Sequence, residues 1–519
     1  MPKTRRLLRE EITYSFAKEE EVFSKPLDNR DWIKAVVAHH LRVRSTDLCH
    51  VPDVAEWLRG SFNVCIPITI DNWKCKAQSG NRVLVRLPLP YRVSDDFHPG
   101  NGDEKIRCEA GTYAWLQENC PDVPIPQLYG FATSTGETYT HLENLPVLRR
   151  SLQYLRRWLL SCLNRPVPSR FVYSQPGMQI RSGNLQTGYL LMEYVEESTG
   201  QMLSNTWMKK HSDSRLRATL FRDLSRILLN VARIPLPRIG SFIIDKSGFL
   251  QLTNCPLSIE IQDLENERIP TGMLRNYTYS TTESYAMDIL HAHNNRLIHQ
   301  PNAIDNIGDY IYQVSASTGM QTVLPSFLSR ELSRGPFAFT LTDLHQSNIF
   351  VDDDWHITSI VDLEWACSLP IEMIRSPTWL TNKACDEISE ETDEYDQVRN
   401  EFMDIMKEEE SRLCNMPSFA CRESCNPSLS TIMKQSWESG TFWYSLALAS
   451  PTGLFRIFYK QIQPRFIKYC TSHDGFQQIM PWYWSPKYVT IATAKLADNE
   501  KYDIMLKEAF EVELSDEPK

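Results

Sequence analysis

The sequence predicts an α+β protein of two lobes, a small β-rich N-lobe followed by a larger, mainly helical C-lobe. Three observations predict it. From Gly60, two β-type runs, SFNVCIPITI and NRVLVRLPLP, flank a turn-like AQSGN. A segment of helical spacing, EKIRCEAGTYAWLQEN, follows them, and beyond the apolar strand GYLLMEYV the chain is mostly helical. Within that helical half one further pair of β-type runs, NIFVD and ITSIVDLEW, is joined by the turn DDDWH.

Taken in order, residues 1–50 read as a polar, helical N-terminal arm whose apolar stripe is WIKAVVAHHL. Residues 51–195 form the N-lobe. After its first two strands, Ile106, Ala110, Tyr113 and Ala114 mark one face of a helix, which Pro121, Pro124 and Pro126 stop. QLYGFATS is a short strand. An insertion at about 134–180 carries a helix near SLQYLRRWLLSCL, and GYLLMEYV closes the lobe. Residues 196–519 form the C-lobe. Its long amphipathic segment, RLRATLFRDLSRILLNVARI, buries Leu216, Leu220, Leu224, Ile227 and Leu228. IGSFIIDKSGFLQL is a strand–turn–strand unit, residues 280 to 333 are helical, and a helical extension follows about residue 375. The acidic run from Asp386 to Asp396 reads as a solvated face. This order is the plan of a two-lobed protein-kinase-like fold.

Composition narrows the function. With 519 residues, 42% hydrophobic and 23% charged, the chain can bury a core without staples and is not a disordered protein. A net charge of -10 ranks nucleic acid low as a partner. There is no run of the ~18 apolar residues that a membrane helix needs, so no membrane partner is expected. The 13 cysteines form no small disulfide framework, and Cys414, Cys421 and Cys425 lack the pairing of a metal site, which suits a reducing compartment. The N-terminus has no apolar stretch after its basic residues, and Glu10 and Glu11 arrive early for a transit peptide, so the expectation is a cytoplasmic, soluble protein, with the mitochondrion as the lesser alternative. Only 20 glycines occur, so any nucleotide site must manage with one or two.

The chemistry concentrates in TDLHQSN and the hairpin after it. Asp343 and Asn348 lie five apart, and Asp362 returns at the far end of the two strands. Phosphoryl transfer needs a carboxylate to orient or deprotonate the acceptor hydroxyl, together with oxygen ligands for magnesium. A hairpin of about five residues per strand brings Asp362 back beside Asn348, which gives the second spacing a physical reason. Upstream parts stand in the matching order. Arg86 in VLVRLP offers a phosphate-pairing cation, and Glu109 on the next helix is placed to pair with it. Glu193, Tyr194 and Val195 form a strand end whose backbone suits an adenine edge, and Gly60 with Ser61 opens a phosphate-covering turn.

These segments, with KIRCEAGTYAWLQENCPDVPIPQLYGF and the C-terminal GTFWYSLALASPTGLF, resemble the aminoglycoside phosphotransferase-like family of the kinase-like superfamily, and most of all its large fungal group. The resemblance covers roughly residues 50 to 470. It implies ATP and Mg2+ as cofactors and a small-molecule hydroxyl as acceptor. It makes Asp343 the catalytic carboxylate and Asn348 and Asp362 the magnesium ligands. Arg86 contacts the α/β-phosphates with Glu109 as its partner, and residues 193 to 195 form the adenine-binding hinge. The sequence departs from the family at two points. Leu341 stands where a histidine is often found two residues before the catalytic aspartate, and Arg86 replaces a lysine. Those departures motivate the alternative of a weak or inactive kinase-like binding protein. His345 is read as packing its loop with contact to a phosphate or the substrate as the rival reading, Glu364 as a structural or surface acid with a cationic substrate group as its rival, and Trp482 and Trp484 as packing residues with a place in the substrate cleft as theirs. Neither the acceptor nor an oligomeric state follows from the sequence.

Overall fold

The computed structural model describes residues 29–73, 80–95, 97–174, 187–415, 428–467 and 474–515. The arm's first 28 residues, Cys421 and Cys425 lie outside them.

The N-lobe is built on one antiparallel sheet. Its strands are β1 (Cys49–His50), β2 (Leu58–Arg59), β3 (Asn63–Ile70), β4 (Arg82–Pro88), β5 (Leu128–Ala132), β6 (Thr138–His141), β7 (Phe171–Ser174) and β8 (Tyr189–Glu193). The spatial order is β1-β3-β4-β8-β5-β6-β7, with β2 also on β3. Period-two alternation explains the sheet's two faces. Val64, Ile66, Ile68, Val83 and Val85 point to one face, where Trp32, Ile33, Val36 and Val37 of helix α1 (Arg30–Leu41) cover them. Leu84 and Arg86 of β4 point to the other face, toward the cleft. His40, at the end of α1, is buried and bonds Thr140 Oγ1 at 2.8 Å and Tyr189 Oη at 2.9 Å. Gly130 of β5 leaves the space for that ring, because a Cβ there would lie 2.2 Å from His40 Nδ1.

Helix α2 (Asn101–Asn119) runs behind the cleft, and Ile106, Ala110, Tyr113 and Ala114 are buried on it as the spacing predicts. The predicted insertion adds β6 and β7 to the sheet edge, with helix α3 (Val147–Cys162) between them.

The C-lobe opens with β9 (Gln201–Met202), α4 (Leu203–Lys210) and α5 (Ser214–Ala232). On α5, Leu216, Leu220, Leu224 and Ile227 are buried as expected. Leu228 is only partly so, and Phe221 and Leu229 complete the buried face. The hairpin β10 (Ser241–Ile244) and β11 (Leu250–Asn254) follows, then α6 (Ile259–Asn266), α7 (Thr282–His299) and α8 (Ile307–Phe327). The sequence reading did not foresee β12 (Phe337–Thr340) pairing with β15 (Cys367–Pro370). Four-residue strands are too short to display a period. Between them stands the predicted hairpin, β13 (Ile349–Val351) with β14 (Ile357–Ile360). Helices α9 (Cys385–Glu390) and α10 (Thr392–Cys414) carry the acidic run on a largely exposed surface, and further helices complete the extension. The architecture is the predicted one, α+β with a sheet lobe and a mainly helical lobe in a two-lobed kinase-like arrangement. A large buried cluster joins them, in which Tyr113 and Leu190 of the sheet lobe pack in the same core as Leu224, Phe339 and Leu446, and a smaller one sets Phe62 and Cys108 against Leu257 and Trp365.

Candidate active site

The hairpin sets the geometry. Ile349 on β13 faces Ile360 on β14, and the amide of Val361 donates to the carbonyl of Asn348 at 2.9 Å. Asp362 therefore follows directly beside Asn348. The turn that makes this return is held by Asp352, whose carboxylate accepts from the amides of Asp354 at 3.0 Å and His356 at 2.9 Å. Trp355 anchors the turn from below, buried and stacked on Trp207 with ring centroids 5.4 Å apart. Asp362 adopts a left-handed backbone, φ 62°, which an aspartate tolerates better than most residues. Asn348 Nδ2 donates to the carbonyl of Asp343 at 3.0 Å and to its carboxylate at 3.2 Å. One loop and one hairpin thus place Asp343, Asn348 and Asp362 on the floor of a cleft of about 1120 Å³.

The same cleft is lined by Gly60, Ser61, Arg86, Glu193, Tyr194 and Val195. Glu109 lies behind it, fully buried. The tip between β2 and β3 is a tight turn in which Gly60 N donates to Asn63 O at 2.9 Å. A Cβ at Gly60 would come no closer than 3.4 Å to that oxygen, so the turn does not demand glycine. Glu193 is committed to structure, since its carboxylate accepts from the Gln127 amide at 3.0 Å and burial raises its pKa. Tyr194 lies under the Arg82 guanidinium, 4.1 Å from the ring centroid.

Electrostatics tie the two lobes at the rear of the cleft. Arg86 donates to Glu109 Oε1 at 2.6 Å, to Glu364 Oε2 at 2.7 Å and to Asp362 Oδ1. The pairing of Arg86 with Glu109 is the one the sequence predicts. Two members of this network escaped the sequence reading. Lys105 is buried one turn before Glu109 on α2, and its ammonium meets Glu364 and Asn63 Oδ1. Asn63 also donates to Glu364 Oε2 at 2.8 Å. Glu364 is therefore a buried structural acid at the centre of Arg86, Lys105 and Asn63, and it is not free to meet a cationic substrate group. The available signal was the four-residue spacing of Lys105 and Glu109, which puts both on one helical face. Burial pushes Glu109 toward its neutral form while the Arg86 charge opposes that shift. Asp343 is pushed up to about 7, chiefly by burial, with the charges of Asp362 and Glu364 adding to it.

Other expectations resolve locally. Leu341 is buried in the C-lobe core. His345 packs its loop, as expected: its ring nitrogen accepts from the Ser347 amide at 3.3 Å, and its ring meets Trp379 edge-on. Trp482 is exposed and Trp484 donates to Asn294 at 2.8 Å on α7, so neither lines the cleft. Trp365 instead meets Phe62, at the β2–β3 tip, with ring centroids 5.1 Å apart. Beyond Thr342 a smaller recess of about 60 Å³ enters the C-lobe, lined among others by Glu260, Tyr285 and Arg375.

The donor set on the floor is carboxylate and amide oxygen, the set a hard divalent cation takes. Asn348 spends its nitrogen on Asp343, which leaves its oxygen available as a ligand. The residues present fit magnesium carried on a nucleotide's phosphates.

No family model matches the chain, and no curated protein is detectably similar to it in sequence. Two solved structures align along 88% of this chain and 94% of their own, with a TM-score of 0.33 each and 11% and 9% identity. Both are thermostable mutants of aminoglycoside phosphotransferase APH(4)-Ia in ternary complex with AMP-PNP and hygromycin B. So loose an overlap leaves the site to stand on its own geometry.

Proposed function

We propose that the protein is an ATP- and magnesium-dependent phosphotransferase acting on a hydroxyl of a small molecule. The observation that carries this reading is the convergence of Asp343, Asn348 and Asp362 on one cleft floor beneath the β2–β3 turn, with the Arg86–Glu109 pair behind them. Magnesium, when bound, supplies charge neutralisation on the transferring phosphate. The chain's residues do the rest. Asp362 and Asn348 hold the metal, and Arg86 sets the position of Asp362 while turning positive charge toward the phosphates. Tyr194 and Val195 present backbone to the adenine edge. Asp343, with its pKa near 7, accepts the acceptor's hydroxyl proton and is oriented by Asn348.

Purified protein should show a nucleotide-dependent thermal shift that requires magnesium, and slow ATP hydrolysis. Asp343→Ala and Asp362→Ala should each lower turnover by at least about 100-fold. Unchanged turnover in both variants, in a preparation free of contaminating ATPase, overturns the assignment. One observation favours a second reading, a kinase-like binding protein of little activity. The terminal nitrogens of Arg86 are already shared among Glu109, Glu364 and Asp362. Under that reading the magnesium-dependent nucleotide shift is absent.

A further inference from the structure

Helix α3 packs the wrong way round for a surface helix. Leu148, Leu152, Leu155 and Leu159 recur at steps of four, three and four, which lines them along one face. That face looks outward: these leucines are 81%, 63%, 49% and 45% exposed, and Trp158 beside them is 60% exposed. No residue of the helix is buried. The polar side is the one that leans on the lobe. Arg157 donates to Glu118 at 2.9 Å, Arg150 donates to the carbonyl of Glu143 at 3.1 Å, and Arg156 covers the Phe249 ring at 5.4 Å. An amphipathic helix that served only the fold would turn its leucines inward.

The charge on this helix is one-sided. It contains Arg149, Arg150, Arg156 and Arg157, Arg165 follows it, and it has no aspartate or glutamate, in a chain of net charge -10. Arg149 and Arg165 are exposed and make no ion pair among the described residues. An apolar ridge of leucine and tryptophan flanked by arginine matches the surface of a bilayer that contains anionic lipid. The leucines enter the acyl boundary, and the arginines remain level with the phosphates. A second copy of the same face would instead set the unpaired Arg149 and Arg165 against arginine, with no acid on the helix to offset them. We propose that α3 is an interfacial helix that docks the protein on an anionic membrane surface. No helix of the described residues is long and apolar enough to cross a membrane, and docking needs none. The proposal departs from the expectation of no membrane partner, and it is independent of what the cleft does.

The test is flotation of the full chain with vesicles of phosphatidylcholine, alone or mixed with phosphatidylserine. Flotation should require phosphatidylserine and weaken as salt rises. Leu152→Glu with Leu159→Glu should lower partitioning at least about tenfold, and Arg149→Gln and Arg165→Gln roughly fivefold each. All four positions are on the surface, so unchanged thermal melting will show that the variants fold. Three results overturn the proposal. The first is flotation that is absent or indifferent to phosphatidylserine. The second is leucine variants that float like the parent. The third is a concentration-dependent dimer that the leucine variants disperse, which would assign the face to a second copy.

Discussion

Asp343 is a carboxylate held where it is reluctant to ionise. Burial raises it first, and the charges of Asp362 and Glu364 raise it further, to about 7. The sign of the consequence is fixed by linkage. The folded state holds this proton over a range where the unfolded chain, with an aspartate near 3.8, has released it. The group therefore costs stability as pH climbs from about 4 through 7. Asp343→Asn should raise the melting temperature at pH 8, by on the order of 1–2 kcal/mol in stability, and change little at pH 4. A variant no more stable at pH 8 than the parent rules this out. The same burial predicts that kcat/KM for phosphoryl transfer falls as pH drops, because only the ionised form accepts a proton, with the limb moving below about 7 where magnesium offsets the Asp362 charge. Arg86 shows why an arginine serves where a lysine was expected. Its planar fork reaches Glu109, Glu364 and Asp362 at once, and a single ammonium could not bridge three acids in that geometry.

At the scale of elements, helix α2 carries the positioning groups. Its seat depends on Gly111, where a Cβ would lie 2.1 Å from the carbonyl oxygen of Phe242 on β10. Gly111→Ala must push α2 off that hairpin and move Lys105 and Glu109 with it. The expected result is a loss of about 1–3 kcal/mol, read by urea denaturation, with a weaker magnesium-dependent nucleotide shift. A nucleotide shift that is unchanged would show that α2 does not position the site. The apolar face of α2 was legible in the sequence because Ile106, Ala110, Tyr113 and Ala114 repeat at helical intervals. Lys105 was not, because a helical lysine is ordinarily solvated and its burial here is set by Glu364, a partner remote in the chain. The Asp343–Asn348–Asp362 spacing was legible because a short hairpin leaves few ways back. The role of Trp365 was not, since its contact with Phe62 joins opposite lobes. The helix of the insertion was legible, but the outward turn of its leucines follows only from where Arg150 and Arg157 find partners.

For the whole molecule, the shared core makes one cooperative body of the two lobes. Tyr113, Leu190, Leu224, Phe339 and Leu446 belong to one buried cluster, so each lobe loses part of its interior if the other unfolds. Urea denaturation followed by far-ultraviolet dichroism and by tryptophan fluorescence should give a single coincident transition. Two separated transitions would show that the lobes are energetically independent. Some of the contacts that cross between lobes gather beside the cleft. Phe62 on Trp365, Asn63 and Lys105 on Glu364, and Arg86 on Asp362 all sit at its inner end. Together they form a spine. An opening of the cleft that keeps these contacts would swing about that spine as a book opens about its binding, widening the mouth while the floor beside Asp362 keeps its shape. A ligand would then enter and leave by the outer edge, and the floor beside Asp362 would need no rebuilding.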